Sequence, residues 1–213
     1  MDSIAIAQWA HDIRNTLGTV SLYLESLEGQ ADTARLARSD ALLRKATGMC
    51  ADLMREAGQG ATKVPRQTFD VTRTIEEVVG LIAPIVPKST SLRLASGGPV
   101  YVTASQKDVF RILFNLIHNA VGVARTAGTI RWIGLALEQN GATVTVRIAD
   151  DGPGLPAEVR ERLFRRGRST TGGSGYGLSI ARELAERNGA VLELCDRACG
   201  TEFTLELQRA GCP

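Results

Sequence analysis

D-D-G-P-G-L-P at residues 150–156 and G-G-S-G-Y-G-L-S at residues 172–179 are two glycine-rich segments of this 213-residue chain. Glycine lets backbone N–H groups approach a ligand closely, and a glycine-rich turn that opens a helix forms a site for anions. Residues 178–188 have the apolar periodicity of such a helix. The stretch between the two segments carries five arginines, Arg160, Arg162, Arg165, Arg166 and Arg168. Taken alone, the pattern also fits two ordinary turns.

The composition is that of an ordinary globular protein, with 44% hydrophobic and 23% charged residues. A formal net charge of +2 is too small to indicate a nucleic-acid partner or a membrane surface. No apolar run approaches the roughly 20 residues of a membrane-spanning helix, and the N-terminus lacks the basic start of a signal peptide. The four cysteines, Cys50, Cys195, Cys199 and Cys212, have no zinc-finger spacing. We therefore expect a cytoplasmic protein with reduced thiols, with no nucleic-acid partner and no membrane segment in this chain.

The N-terminal part of the chain has the pattern of two amphipathic helices. Small or apolar residues recur at alternating intervals of four and three between Ile6 and Leu27, and again between Leu36 and Ala57. The short segment 29–32 joins them, which predicts an antiparallel hairpin of two helices of about 25 residues. Two hairpins would cover their apolar faces by forming a four-helix bundle, so we expect a homodimer. Packing against the C-terminal part of the same chain is the alternative.

The polar segment 58–68 contains Pro65 and has no apolar period, so it is predicted to be a linker. It separates a helical hairpin domain, residues 1–60, from a second domain, residues 61–213. In the second domain, helices are expected at 69–86, 105–124 and 178–188, and strands at 91–95, 100–103, 130–137, 143–149, 191–195 and 201–207. Asp70 or Thr72 is expected to cap the first of these helices. Hairpin turns are expected at Asn140-Gly141 and at residues 198–200. This order of elements predicts an α/β domain with helices on one face of a sheet.

His11 lies at the edge of the first apolar seam, where its ring would reach solvent. Asp12 follows it directly, and Asn15 lies four residues further on the same helical face. A nucleophilic histidine needs exposure, a neutral ring nitrogen and a carboxylate that can orient the ring and accept a proton. The segment H-D-I-R-N therefore has the elements of a phosphorylation site, and a surface histidine among helix-forming charges is the alternative.

Three polar residues of the second domain have the chemistry of a nucleotide site. Asn115 and Asn119 lie four residues apart on a predicted helix, so their amide oxygens can hold a hydrated Mg²⁺ that takes its other ligands from phosphates. Asp150 ends a predicted strand before a Gly-Pro-Gly turn, where a carboxylate can accept the exocyclic amine of adenine. The alternatives are two solvated asparagines and a turn-capping aspartate.

The order of these segments along the chain is more specific than any one of them. H-D-x-R-N is followed by N-L-I-H-N-A, then D-D-G-P-G, then L-F, then G-x-G-x-G-L-S-I-A. In this order the chain resembles the catalytic core of sensor histidine kinases, whose nucleotide domain belongs to the ATPase family shared with gyrase, Hsp90 and MutL. The resemblance extends over about residues 4–207. It implies an α+β protein of two domains: a helical hairpin that forms a four-helix bundle in the homodimer, and an α/β sandwich ATP-binding domain with a mixed sheet.

The resemblance also implies a role for each residue of the hairpin motif. His11 would be the phosphorylated histidine, and Asp12 would be the neighbouring acid that helps to deprotonate it. Asn15 would match the position that orients a water molecule for dephosphorylation of a partner response regulator. Thr16 departs from the family pattern, because proline is usual there, and the departure predicts a straighter helix beside the histidine.

In the second domain, the resemblance implies an ATP site. Asn119 would coordinate Mg²⁺, Asn115 would support the phosphates, and Asp150 would bind the adenine amine. Gly152 and Gly154 would shape the adenine pocket. Residues 156–174, which include Phe164, would form a lid over ATP. The nucleotide would be contacted by residues of this lid and of the turn after it: Arg168, Gly173, Gly175, Gly177 and Leu178.

The implied reaction is transfer of the γ-phosphate of ATP to His11, followed by transfer to an aspartate on the receiver domain of a response regulator. The implied cofactors are ATP and Mg²⁺, and the implied partners are a second copy of the chain and a sensor that is either upstream or separate, since only ten residues precede His11. A histidine phosphotransfer protein that relays phosphate without using ATP is the alternative. A serine kinase of the anti-sigma type is less compatible with the sequence, because it has no helical hairpin that carries His-Asp.

Overall fold

The computed structural model describes residues 65–95, 97–160, 163, 177–195, 197 and 199–211, together with Gly18. The chain divides into two units, Met1–Lys63 and Val64–Pro213, and the fold described below is that of the second unit. The predicted hairpin at residues 1–60, with His11, Asp12 and Asn15, lies outside the described residues. The same holds for Phe164, Arg168, Gly173 and Gly175 of the predicted lid and phosphate-binding turn.

Strands and helices alternate irregularly along the second unit. In chain order they are β1 (Gln67–Asp70), α1 (Val71–Ile82), a 3₁₀ turn (Ala83–Ile85), β2 (Ser91–Leu94), β3 (Tyr101–Ala104), α2 (Gln106–Ala127), β4 (Trp132–Asn140), β5 (Thr143–Asp150), α3 (Ala157–Arg160), α4 (Gly177–Arg187), β6 (Val191–Leu194) and β7 (Thr201–Gln208). The predicted α/β domain with a mixed sheet is therefore confirmed, and the differences lie in the boundaries of individual elements.

The start of the domain differs most from the prediction. The last two residues of the predicted linker, Gln67 and Thr68, belong to β1, which pairs with β3. Helix α1 then begins at Val71, because the side chain of Asp70 accepts a hydrogen bond of 3.0 Å from the backbone N–H of Thr72 and caps the helix. The helix also ends at Ile82 rather than near residue 86, since the chain continues there as a 3₁₀ turn that contains Pro84.

The main sheet has five strands in the order β2-β4-β5-β7-β6. The β2–β4 pair is parallel and the other three pairs are antiparallel, so the sheet is mixed. The β4–β5 hairpin turns at Asn140-Gly141 as predicted, and Gly141 has a φ of 60° there. The antiparallel pair β1–β3 forms a second, small sheet, which approaches the end of the main sheet through an isolated bridge between Val102 and Arg209.

The core lies between the main sheet and the helices. Alternate residues of the central strands are buried, among them Leu135, Val146 and Leu205, and α2 packs against β4 and β5. Helix α2 supplies the largest apolar surface, which includes Ile112, Leu113, Leu116 and Ile117 at spacings of one, three and four. Helices α1 and α4 pack against α2. Among the described helices, none has the length and apolar content needed to cross a lipid bilayer.

Candidate functional site

Asp150 is the last residue of β5, and its carboxylate is held in one orientation by the backbone. Its Oδ1 accepts hydrogen bonds from the N–H of Gly152, at 2.9 Å, and from the N–H of Thr201, at 3.3 Å. The residue is 8% exposed, and its second oxygen, Oδ2, takes part in neither bond. A buried carboxylate that is fixed through one oxygen can present the other as an acceptor, which is what recognition of an adenine amine requires.

Glycines allow the backbone to close tightly around this carboxylate. A β-carbon at position 152 would lie 2.8 Å from Oδ1 of Asp150 and 2.9 Å from Cγ1 of Ile130, so only glycine fits between them. Gly154 lies against the carbonyl oxygen of Gly200, 3.1 Å from where a β-carbon would stand. The segments that follow β5 and precede β7 therefore touch each other beneath Asp150.

Gly200 and Thr201 form a part of the site that our sequence analysis did not assign. Thr201 begins β7 directly opposite Asp150 in the antiparallel register, and this pairing brings its N–H to the carboxylate. Gly200 has a φ of 78°, in the left-handed region that favours glycine. In the sequence, Gly200 belongs to the predicted turn 198–200 and Thr201 begins a predicted strand, and neither residue type by itself indicates a ligand site.

Burial raises the pKa of Asp150 above the usual value for a carboxyl group, although the hydrogen bonds from the Gly152 and Thr201 N–H groups and the nearby charge of Arg197 act in the opposite direction. The adjacent Asp151 behaves differently. Desolvation acts to raise its pKa, but the backbone N–H groups of Trp132 and Arg131, at 2.9 and 2.8 Å from Oδ1, together lower it. Asp151 thus ties the turn after Asp150 to the start of β4.

Asn115 and Asn119 both lie on α2, one helical turn apart, as the sequence predicted. Asn115 is 4% exposed and Asn119 is half-buried. The helix is fixed at both ends: Ser105 caps its N-terminus, and Gly128 ends it in the left-handed conformation. Two residues beyond that end, Ile130 lies against Gly152, so the segment that follows α2 passes close to the Asp150 carboxylate.

The residues present fit a divalent cation that is held mainly by a nucleotide. Within the described ranges, no group of three or more histidine, cysteine, aspartate or glutamate side chains could hold a metal ion by itself. Asn115 and Asn119 offer neutral amide oxygens. Mg²⁺ in nucleotide sites retains several water molecules and takes its other ligands from phosphates and one or two protein oxygens. The site therefore suits Mg²⁺ that arrives together with ATP.

Gly177 and Leu178 are the first two residues of α4. Gly177 is buried, and Leu178 is half-buried. The free N–H groups at the start of a helix bind anions, and the helix dipole adds to the attraction. Their position is therefore compatible with the predicted contact to phosphates. The roles of all these residues stay predictions.

Comparison with known proteins gives the family. The model of the family described as histidine kinase-, DNA gyrase B-, and HSP90-like ATPase matches residues 104–211. The sensor-like histidine kinase SenX3 of Mycobacterium tuberculosis is 26% identical over 219 residues, which covers 95% of this chain and 52% of SenX3. The histidine protein kinase SaeS of Staphylococcus aureus is 37% identical over 107 residues, 46% of this chain and 30% of SaeS. The chain thus spans about half the length of SenX3 and less of SaeS.

A solved structure gives the same fold. The histidine kinase ThkA, in complex with the response regulator protein TrrA, matches with a TM-score of 0.60 and 20% sequence identity. The match covers 98% of this chain and 62% of that chain. At this level of identity the match bears on the fold alone.

Proposed function

Since the chain belongs to the histidine kinase-, DNA gyrase B- and HSP90-like ATPase family, we propose that it is the catalytic core of a two-component histidine kinase. It binds ATP with Mg²⁺, phosphorylates His11 and passes the phosphoryl group to an aspartate of a response regulator. The curated relatives SenX3 and SaeS are both named as histidine kinases, and this supports the choice within the family.

One structural observation carries most of the proposal. Asp150 is buried, its Oδ1 is held by the N–H groups of Gly152 and Thr201, and Oδ2 takes part in neither bond. Burial of a charged carboxylate costs free energy of folding, and the raised pKa of Asp150 reflects this cost. Such a costly arrangement is expected where the carboxylate recognises a ligand. An adenine amine, which donates hydrogen bonds, is the matching ligand.

The chain's own residues would supply the chemistry of the transfer. A ring nitrogen of His11 attacks the γ-phosphorus in line, the N–P bond forms as the bond to the bridging oxygen breaks, and ADP leaves. Asp12 orients the imidazole and accepts the proton from the other ring nitrogen. Asn119 would coordinate Mg²⁺, which when bound offsets the negative charge of the phosphates, and Asn115 would support the phosphates. Gly152 and Gly154 would shape the adenine pocket.

The segment before α4 would close the phosphate end of the site. Arg168 of the lid would add positive charge near the transferring group. Backbone N–H groups of Gly173, Gly175, Gly177 and Leu178 would bind the phosphates. Of these, only Gly177 and Leu178 are among the described residues.

The partners follow from the chemistry. A phosphohistidine is labile, so the phosphoryl group would pass to a receiver-domain aspartate. Asn15 would orient the water molecule that later hydrolyses the phosphoaspartate of the response regulator. ThkA, a structural match, has been solved with a response regulator, which supports a partner of the same kind here. A homodimer would pair two helical hairpins, residues 1–60, into a four-helix bundle linked to the ATP-binding domain, residues 61–213. Because ATP is a cytoplasmic substrate, we place the reaction in the cytoplasm, under control of an upstream or separate sensor.

The alternative function is a histidine phosphotransfer protein that relays phosphate without ATP. Such a protein has no use for a buried carboxylate beside an adenine pocket or for paired asparagines on α2. The features of the second unit therefore favour the kinase.

The deciding experiment is incubation of the purified chain with Mg²⁺ and ATP labelled at the γ-phosphate. We expect label on the protein that is lost in acid and retained in base, and that disappears in His11→Gln. His11→Gln should still bind ATP, which separates loss of the acceptor from loss of the nucleotide site. A wild-type chain that takes up no label and binds no ATP would overturn the kinase in favour of the phosphotransfer protein.

A further inference from the structure

A polar cluster, in which Asp108 and Asn188 are buried, joins the start of α2 to the end of α4. Asp108, in the first turn of α2, is fully buried. Its carboxylate accepts two hydrogen bonds from the guanidinium of Arg187, one of them 3.0 Å long between Nε and Oδ2. Oδ2 also accepts a hydrogen bond of 2.8 Å from Nδ2 of Asn188. The carboxylate is therefore paired with a cation and satisfied through both oxygens.

Asn188 extends the cluster to the backbone of both helices. Its Oδ1 accepts a hydrogen bond of 2.7 Å from the N–H of Ser105, the residue that caps α2. Its Nδ2 also donates to the carbonyl oxygen of Leu184, at 2.8 Å, in the last turn of α4. The capping oxygen of Ser105 in turn accepts from the N–H of Asp108. Every bond in the set is directional, so the cluster defines how the two helix ends sit against each other.

The cluster also determines the axial position of the start of α4 relative to α2. Helices α2 and α4 pack against each other, and since the end of α4 meets the start of α2, they run antiparallel. Asn119 lies eleven residues after Asp108, and Gly177 lies eleven residues before Asn188. At 1.5 Å per residue, both distances are about 16 Å along the helix axis. The start of α4 is therefore level with Asn119 when the cluster is intact.

We propose that Asp108, Arg187 and Asn188 are positioning residues, which set the axial register of α4 against α2 and so hold Gly177, the first residue of α4, beside Asn119. This inference rests on the proposed function, because it assigns the register to the phosphate end of the ATP site. The cluster itself touches neither the Asp150 carboxylate nor the asparagines of α2 through the bonds described.

Energetics favour a role in register over a role in overall stability. The ion pair recovers little net free energy, since the cost of burying the Asp108 carboxylate offsets its attraction to Arg187, whose side chain is 36% exposed. Most of the other buried residues of α4 are apolar, among them Ile180, Ala181, Leu184 and Ala185, and apolar contacts are not directional. A directional polar cluster at one end is what specifies one register among neighbouring ones.

The test compares ligands that differ only in their phosphates. Adenosine uses the Asp150 pocket alone, whereas ADP with Mg²⁺ also uses the phosphate end. In Arg187→Met and in Asp108→Asn we expect the dissociation constant for ADP to rise about ten- to a hundredfold, as for a misplacement of about 1 Å. The constant for adenosine should change less than twofold. Arg187→Lys, which keeps the charge, should recover part of the loss.

Two control variants separate register from general loosening. Arg182→Met removes an exposed arginine of α4 that pairs with Glu186, and it should leave both constants unchanged. Ile75→Val removes a methyl group from the core of α1, outside the hydrogen-bonded cluster, and should lower the melting temperature without altering the ratio of the two constants. Hydrogen exchange supplies a readout without nucleotide: amides in the first turn of α4 should exchange faster in Arg187→Met.

The outcomes distinguish this inference from the proposed function. A wild-type chain that binds neither adenosine nor ADP would overturn the proposed function. If the wild-type chain binds both ligands, but the two dissociation constants of the variants rise in the same proportion or not at all, the positioning role alone is overturned. A selective loss for ADP together with faster exchange at the start of α4 would support it.

Discussion

A β-carbon on Gly200 would stand 1.9 Å from the carbonyl oxygen of Asp150. These two residues are 50 positions apart in the sequence, yet their backbones meet where β5 ends and β7 begins. The contact places the Thr201 N–H within hydrogen-bond distance of the Asp150 carboxylate. The backbone of Asp150 and Gly200 forms the floor of the site. Any side chain at position 200 would have to push the two strands apart.

Gly200→Ala should therefore destabilise the domain and impair adenine binding together. The left-handed backbone alone costs about 1–2 kcal/mol for alanine, and the clash with Asp150 should bring the total loss to about 3–5 kcal/mol. Denaturant unfolding measures the free energy, and adenosine binding reports on the floor of the site.

Gly141→Ala is the matched control for this change. Gly141 has a φ of 60°, close to that of Gly200, but nothing lies within 4 Å of its β-carbon position. In this variant the free energy of unfolding should fall only by the cost of the left-handed backbone, about 1–2 kcal/mol, and adenosine binding should be unchanged. Equal losses in the two variants would mean that the Asp150 contact contributes nothing.

Asp150→Asn should weaken nucleotide binding without weakening the fold. The asparagine oxygen can still accept from the Gly152 and Thr201 N–H groups, but its amide presents donors where the adenine amine also donates. Loss of a hydrogen bond to a charged acceptor, worth about 1.5–3 kcal/mol, corresponds to roughly ten- to a hundredfold in the dissociation constant for ADP.

The same variant tests the raised pKa of Asp150 through the pH dependence of stability. A raised carboxyl pKa means that the folded state binds the proton more tightly than the unfolded chain. The stability that protonated Asp150 contributes to the folded state is therefore fully present below the unfolded pKa, about 4, and is lost as pH rises through the folded pKa. Relative to wild type, Asp150→Asn should gain stability between about pH 4 and pH 7; a variant that is less stable at pH 7 would contradict the assignment.

Asn119→Ala should abolish Mg²⁺-dependent labelling and leave the fold intact. Asn119 is half-buried on α2, and alanine is the better helix former, so the free energy of unfolding should not fall. ATP binding without Mg²⁺ should be nearly unchanged, and the improvement that Mg²⁺ brings to wild type should vanish. A magnesium titration of ATP binding makes the comparison, and labelling that persists would refute the metal assignment.

Asn15→Ala should separate the two activities of the proposed hairpin. Labelling of His11 needs the imidazole and Asp12, so its rate should stay within about twofold of wild type. Loss of label from a phosphorylated response regulator should slow by at least about a hundredfold, the lower end of general-base catalysis. The measurement follows both reactions in one preparation. If autophosphorylation and dephosphorylation fall together, Asn15 does not have the predicted role.

The features that the sequence predicted well are local ones. The apolar spacing of α2 reports its buried face because residues three and four apart share one side of a helix. The Asn140-Gly141 turn was predictable because few residues accept its backbone angles. Asp70 was recognisable as a cap since its bond to Thr72 spans two residues. Asp150, at the end of an alternating strand and before Gly-Pro-Gly, belongs to the same class.

Boundaries that depend on distant partners were predicted less well. β1 is a strand only because β3 pairs with it, and four residues at the end of a polar stretch contain no local sign of that pairing. The same reason explains why Thr201 was not assigned to the site, since its contact with Asp150 exists only once β5 and β7 are in register.

The amino-acid sequence by itself thus determined the kinds of element and the groups to which we assign the chemistry, because helix faces, caps and turns depend on neighbours within a few residues. Only the tertiary structure decided that the Asp150 carboxylate is buried and held by Thr201, and that Asp108 meets Arg187 and Asn188 at the far end of α4. Those contacts join positions 51 to 80 residues apart, and they form because burial of one apolar face brings the strands and helices together in a single arrangement.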